Sequence, residues 1–380
     1  VSDKHAEVIG AGLVGLSTAL LLKKAGWSVT VHEQADAVRE IGAGISLHQG
    51  ACSVFEYLGL MDRILAEGID LDASQAISHT GEVLADRELG GAYRQLAIRR
   101  QVLIRMLADE AAAQGVEILT NSRAAKVTPD GAVFIEGQPE PRAADLVVGA
   151  DGFHSVVRDS LGLTGKKVER SNGATRLLID YDKASGRTVL EEWWGPSNRM
   201  GILPMGEGKT YVYMSSRESD RRATQIPIDA EYWGGLFPGI DEEIFQLLSQ
   251  VEDPRHDPYP YVKPKAWSKG RVAIVGDALN AVPPSLGLGA TLGLRNARLM
   301  VDALESHSDV AEALRAWEAE ARPDTEWIQR WSLFRERLSH NLPAPLARVR
   351  AKLLQRSNGF RGWGQRGRNF DEELITDTNG

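Results

Sequence analysis

The stretch Ala6-Glu7-Val8-Ile9-Gly10-Ala11-Gly12-Leu13-Val14-Gly15 runs on through apolar residues to Ala25-Gly26 and then Trp27-Ser28-Val29-Thr30-Val31-His32-Glu33. A short apolar run, a glycine-rich turn, a helix pattern closed by Gly26 and an alternating run make a β-α-β unit. Glycines at these spacings permit a tight turn, close backbone approach to a pyrophosphate and close helix–strand packing, with the helix N-terminus favouring the phosphate charge. Glu33 stands 18 residues beyond Gly15, at the end of the second strand, where a carboxylate accepts hydrogen bonds from ribose hydroxyls. The unit predicts dinucleotide binding. The competing reading is a plain glycine turn with Glu33 as a solvated strand end.

Outward from this unit, a helix-like stretch covers about 51–67, and two strand-like runs flank Thr80-Gly81-Glu82. A helix runs from Arg100 to Gln114 and closes at Gly115. Short strands lead to Asp145-Leu146-Val147-Val148-Gly149-Ala150-Asp151-Gly152, followed by His154, Ser155 and Arg158. Read alone, this second motif is a strand-to-helix connection capped by Asp151. From Arg176 to Ser216 the runs Arg176–Tyr181, Val189–Trp194, Met200–Leu203 and Thr210–Met214 are rich in β-branched and aromatic residues and predict an antiparallel sheet. A third motif follows. Arg271-Val-Ala-Ile-Val-Gly276 delivers Asp277 to a loop holding Asn280, Pro283 and Pro284, and Gly287-Leu288-Gly289-Ala290 then opens a helix. The amides at that helix start can stabilise developing negative charge. Beyond Gly289 the pattern is mostly helical.

Composition narrows the field. The chain has 380 residues with 43% hydrophobic and 25% charged, enough apolar material for two to three domains. Its 44 basic against 52 acidic residues give a net charge of −8, which argues against a nucleic-acid partner. One cysteine, Cys52, rules out an internal disulfide and fits a reducing, cytoplasmic setting. The most apolar run, Val8–Leu22, is broken by three glycines and lacks a basic n-region, so it reads as neither a membrane span nor a signal peptide; the missing initiator Met is read as processing. His5, His32, His48 and His79 lack ligand spacing, so no metal is expected, and His48 reads as structural. Leu338–Phe370 holds seven basic and no acidic residues. It is expected to lie on the chain's own acidic surface or at a dimer contact.

The three motifs in this order resemble those of the single-component FAD-dependent aromatic hydroxylases of the para-hydroxybenzoate hydroxylase type. Arg39 with Gly42-Ala43-Gly44-Ile45, and Ile98-Arg99-Arg100-Gln101-Val102-Leu103, add to the likeness, which runs from about 6 to about 322. Ala6-Glu7-Val8, Gly26-Trp27, Pro227-Ile228-Asp229, Trp233 and Phe237-Pro238 draw it toward the pyridine-ring oxygenases. The resemblance implies an α/β protein with a Rossmann-like FAD-binding domain (1–70, 96–170 and 264–300), interleaved with a β-sheet substrate domain (71–95 and 171–263). A C-terminal helical region (301–380) follows.

It further implies that Gly10, Gly12, Gly15 and Glu33 hold the ADP half of non-covalent FAD. Arg39 and Arg100 would lie near its ribityl and phosphate region, and Asp277 would bind ribityl or phosphate-side groups. Pro284 would lie beside the flavin ring, with Gly289 and Ala290 offering amides to its edge. Asp151-Gly152 resembles a motif tied to FAD and nicotinamide binding. The implied reaction takes NADH or NADPH and O2, passes through a flavin C4a-hydroperoxide, and hydroxylates a small aromatic or N-heteroaromatic acid, with ring opening open as an outcome. The family seats its substrate on the middle sheet, which makes Arg199, Tyr211 and Tyr213 the candidate substrate residues. Trp193 and Trp194 point to opposite faces, so one of the two can join them. Departures are Asn280 where the family often has His, Leu288 in place of Gln, and Arg295-Asn296 in place of Glu-Asp. The alternatives are a related flavin dehydrogenase or reductase and a non-catalytic FAD sensor. The protein is expected to be a monomer or homodimer without a membrane partner.

Overall fold

The computed structural model describes residues 4–39, 43–91, 93–182, 186–252 and 254–340. Their contacts separate two units: Val1–Ile41, Gln101–Val168 and Pro260–Ser332 form one, and Gly42–Arg100, Glu169–Tyr259 and the described residues from Leu333 onward form the other. The sequence reading keeps 1–70 together, whereas the contacts divide that stretch after Ile41. The reason lies in strand pairing, since Gly44–His48 and Ile69–Asp70 both pair with Gln95–Arg99 in a three-stranded sheet of their own. The basic stretch beyond His340 lies outside the described residues.

The first unit is built on a six-stranded sheet in the order Ser268–Lys269, Val272–Ile274, Leu146–Gly149, His5–Ile9, Ser28–His32 and Glu117–Leu119. Its pairings are parallel except at the Ser268–Lys269 edge. All three motifs therefore end strands of one parallel sheet, and in such sheets ligands bind beyond the carboxyl ends of the strands. The Leu13–Lys24 helix is buried along most of its length, carries Lys23 and Lys24 in its last turn, and is followed by Gly26 at φ 85°. Those lysines suit the negative end of the helix dipole, and Gly26 takes the left-handed turn that lets the chain leave.

Between the strands sits a buried ionic knot. Glu7 is 1% exposed and accepts from Arg142 Nε at 2.7 Å and from the His32 ring, whose other nitrogen meets Ser122 Oγ at 2.7 Å. Burial alone would raise the Glu7 pKa, but His32 and Arg142 outweigh it and hold the carboxyl below its ordinary value of about 4.5. A depressed folded-state pKa contributes stability that is full above the unfolded value and lost as pH falls through the folded one. Glu7→Gln is therefore expected to cost on the order of 3 kcal/mol at pH 7. Thermal melts should show the gap to wild type closing below pH 4. An equal gap at pH 7 and pH 3 would contradict this.

The second unit is a seven-stranded sheet in the order Arg255–Lys263, Lys166–Asp180, Lys209–Arg217, Arg199–Gly206, Val189–Trp194, Ala73–Ser78 and Val83–Glu88. The four predicted runs of 176–216 pair antiparallel as expected, and Ala73–Ser78 joins the same sheet in parallel beside Val189–Trp194. Those strands are separated by over a hundred residues, so no hairpin imposes opposite directions. The stretch 51–67 is likewise two helices, Gln49–Tyr57 and Met61–Glu67, because Gly59 at φ 73° turns the chain between them.

Strand alternation gives the sheet two unlike faces. Leu177, Ile179, Trp193, Met200, Ile202, Val212 and Met214 pack with Trp233, Phe237, Ile244 and Phe245 from the 221–249 helical segment. The opposite face carries Leu178, Leu190, Leu203 and Tyr211, clustered with Leu71, Ala97 and Met205.

Candidate active site

In the first unit each glycine of Gly10–Gly15 has its own physical reason. Gly10 lies at φ 106°, and a Cβ there would stand 2.5 Å from the Ala150 carbonyl oxygen. A Cβ on Gly15 would lie 1.9 Å from the Gly10 carbonyl oxygen. Gly12 differs. Its backbone is extended, at φ −77° and ψ −176°, and a Cβ there meets nothing within 4 Å. The space in front of Gly12 is open and faces the start of a 12-residue helix that has no side-chain cap. Uncapped amides beside open space fit a pyrophosphate. Glu33 accepts from Ala11 N at 3.1 Å and from Ala35 N at 2.9 Å, which fixes the carboxylate while leaving it partly exposed. Arg39 is exposed and pairs with Asp36.

Beyond the third motif strand, Asp277 is exposed at the start of the Asp277–Asn280 helix. Pro284 is exposed and opens a single 3-10 turn that ends at Gly287, φ 71°. Gly289 and Ala290 begin the 18-residue helix Gly289–Ser306, whose N-cap Leu288 offers no side-chain acceptor. A Cβ on Gly293 would lie 2.6 Å from Val14 Cγ2, so this helix packs directly on the first one. In the same stretch Asn280 Nδ2 and Oδ1, Ser285 Oγ and Thr291 Oγ1 are buried without a hydrogen-bond partner. Buried polar atoms are seldom left so unless a ligand or water serves them. Arg158, fully buried, donates to the Ala278 carbonyl at 2.9 Å and to the Phe153 carbonyl at 2.8 Å, bracing the second motif against the third. The N-cap of the following helix is Ser155, which accepts from Arg158 N at 2.9 Å, rather than the expected Asp151, which accepts from Val157 N at 3.1 Å and whose carboxyl burial pushes up.

In the second unit, register puts Arg199, Tyr211 and Tyr213 on one sheet face, since Tyr211 lies opposite Leu203 and Tyr213 opposite Gly201. A Cβ on Gly201 would lie 1.9 Å from the Tyr213 ring, so the glycine makes room for it. Trp194 joins this face, with its ring 5.0 Å from the Arg199 guanidinium, while Trp193 packs in the helix-covered core. Arg199 is 1% exposed and does not stand alone. Glu192 Oε1 lies 3.5 Å from its Nη1, and the Tyr213 hydroxyl donates to the same Oε1 at 2.6 Å. Burial and then Glu192 push the Tyr213 hydroxyl well up.

Arg100 clusters with this unit, where it and Arg176 oppose the upward push that burial exerts on Tyr211. His48 precedes the Gln49–Tyr57 helix, and burial, with Arg87 second, lowers its pKa to about 4. Sequence reasoning missed Glu192, Arg335, Tyr259 and His340. Glu192 had one signal, its alternation with Trp194; the others depend on register and on the end of the Val310–His340 helix.

The open space at Gly12, the anchored Glu33 and the uncapped helix start at Gly289 all belong to the first unit. Residues 4–332 match the family described as FAD binding domain. The chain belongs to that family. The 2-heptyl-3-hydroxy-4(1H)-quinolone synthase of Mycobacteroides abscessus is 32% identical over 358 residues, covering 91% of this chain and 93% of that protein. The 3-amino-4-hydroxybenzoate 2-monooxygenase of Streptomyces cremeus is 29% identical, covering 86% of each. Among solved structures, a tetrameric form of 2-methyl-3-hydroxypyridine-5-carboxylic acid oxygenase superposes with a TM-score of 0.83 at 32% identity, covering 91% of this chain and 96% of that one. This member of the FAD-binding family is thus a flavoprotein monooxygenase, with FAD as cofactor and NAD(P)H as reductant. No described helix is long and apolar enough to cross a membrane.

Proposed function

We propose that this monooxygenase hydroxylates a small, hydroxylated aromatic or N-heteroaromatic acid, with Arg199, Tyr211 and Tyr213 forming the substrate face. The observation that carries the reading is a buried cation flanked by aromatic rings on one sheet face. Rings and a cation suit a planar anion. Bound FAD supplies the store of two electrons and the activation of O2. Gly10, Gly12, Gly15 and Glu33 hold its adenosine and pyrophosphate half. Arg39, Arg100 and Asp277 serve its ribityl and phosphate groups, and Pro284, Gly289 and Ala290 face its ring. The protein's part is to hold the ring in place and keep water out. Cytoplasmic location and a monomeric or homodimeric state belong to the same proposal.

NAD(P)H oxidation is expected to be slow alone and at least about tenfold faster with the right ring compound, as for a gated cofactor. A screen of hydroxybenzoates, hydroxypyridine carboxylates and alkylated 4-quinolones, followed by absorbance at 340 nm, checks it. Equal rates with and without every compound, with none oxygenated, would favour a reductase or a sensor instead.

A further inference from the structure

The sheet face around Arg199 holds more positive than negative charge. Glu192 serves two guanidinium groups: its Oε1 lies 3.5 Å from Arg199 Nη1, and its Oε2 accepts from Arg335 Nη2 at 3.2 Å. The Trp194 ring lies near both cations, 5.0 Å from the Arg199 guanidinium and 5.4 Å from that of Arg335. Neighbouring charged groups have polar partners of their own. Arg176 faces Asp257 at 3.8 Å, Arg170 is paired with Glu336 at 3.0 Å, and His256 meets Glu218 at 2.9 Å. Arg217 donates to the His340 carbonyl at 2.6 Å. The His340 ring is held between Ser197 O and Ser215 Oγ, at 2.9 Å each, and Ser215 in turn meets the Tyr259 hydroxyl. Within the trio of Arg199, Glu192 and Arg335, two cations against one carboxylate leave one positive charge over.

The donors are not used up either. Arg199 Nε and Nη1 and Arg335 Nε are buried without a hydrogen-bond acceptor. At 3.5 Å the Glu192 oxygen attracts Arg199 without satisfying it. Unpaired guanidinium N–H groups on a residue 1% exposed are costly, and an oxygen of a bound anion would serve them. Burial would raise the Glu192 pKa, but Arg199, Arg335 and Tyr213 pull it below the ordinary range, so the carboxylate stays charged.

We infer that Arg199, Arg335 and Glu192 form a binding site for an organic monoanion, in which Glu192 sets the charge the ligand must carry. Glu192 is a specificity-determining residue. It cancels one of two cations, so a singly charged ring compound leaves the site neutral, while a neutral one leaves a cation unpaired and a doubly charged one brings excess negative charge. Discrimination by an unpaired partner is the usual source of such selectivity. The inference rests on the reading that this face takes the substrate.

Calorimetric titration of the FAD-loaded protein at constant ionic strength tests it with three ring-matched probes: 3-hydroxybenzamide, 3-hydroxybenzoate and 5-hydroxyisophthalate. Wild type is expected to bind the monoanion at least about tenfold more tightly than the other two. Glu192→Gln should shift the preference about tenfold or more toward the dianion. Arg335→Gln removes a partly exposed side chain and keeps the test available if Glu192→Gln does not fold; it should erase the preference for the acid over the amide. An unchanged ranking in Arg335→Gln, or equal binding of acid and amide by wild type, overturns the charge assignment. Nitrate, a monoanion without a ring, separates the two ideas. Nitrate binding that Arg335→Gln abolishes, with no aromatic probe bound, rejects the aromatic-acid reading and supports the charge assignment. No binding of nitrate or of either aromatic anion rejects the charge assignment itself.

Discussion

Gly12→Val is expected to leave the fold intact and to strip the protein of FAD. The backbone at Gly12 is extended, a conformation valine adopts without strain, and no atom lies within 4 Å of the position its Cβ would take. Nothing in the protein therefore resists the substitution. The side chain would fill the space before the helix amides, where the pyrophosphate must come within hydrogen-bond reach. Loss of that approach should weaken FAD binding by about 100-fold or more, equivalent to roughly 2.7 kcal/mol. Gly15→Ala should behave differently. Its Cβ would lie 1.9 Å from a main-chain oxygen, so the turn itself must move, and destabilisation of about 3 kcal/mol or more is expected even without cofactor. Melting of the FAD-free proteins and flavin retention on a desalting column separate the two effects. Full flavin retention by Gly12→Val would show that the open space is not the phosphate site.

Arg199→Met is expected to cost both stability and ligand affinity. Glu192 would keep Arg335 and the Tyr213 hydroxyl but lose the cation on its other side. Breaking a buried ion pair from one side typically costs about 3–5 kcal/mol. Arg199→Met with Glu192→Gln should recover part of that stability, since both charges of the buried pair are then removed, while the partly exposed Arg335 loses its carboxylate. It should not recover affinity for an aromatic acid, because the cation is still missing. Chemical denaturation and KM measurements on the four proteins of this cycle check both halves. Affinity restored along with stability would mean that Arg199 acts only as a structural partner of Glu192.

The glycine turn and Glu33 of the proposed cofactor cradle were legible in the sequence because they are local. Gly10, Gly12, Gly15 and Glu33 act through a turn, a helix start and a strand end within one β-α-β unit, and their spacing carries the geometry. The shared face of Arg199, Tyr211 and Tyr213 was half legible. Alternation puts Tyr211 and Tyr213 together, but only the register of two strands places Arg199 beside Ser215 and Gly201 beside Tyr213. Glu192 with Arg335 was not legible, because 143 residues separate them and no local pattern links a strand position to a distant helix end. The sequence marks Arg199 as a candidate substrate residue, and the structure adds that Glu192 already shares its charge. The parallel placement of Ala73–Ser78 beside Val189–Trp194 escaped for the same reason, being a tertiary choice between distant strands.

The central claim, that this chain inserts an atom of molecular oxygen into an aromatic ring, is met most directly by isotope labelling. The FAD-loaded protein is incubated with NAD(P)H, a ring compound that stimulates its oxidation, and 18O2, and the product is analysed by mass spectrometry. The account predicts a product heavier by one 18O atom, with no label when 18O-water replaces 18O2. NAD(P)H consumed in step with hydrogen peroxide, with the ring compound unaltered, would contradict it.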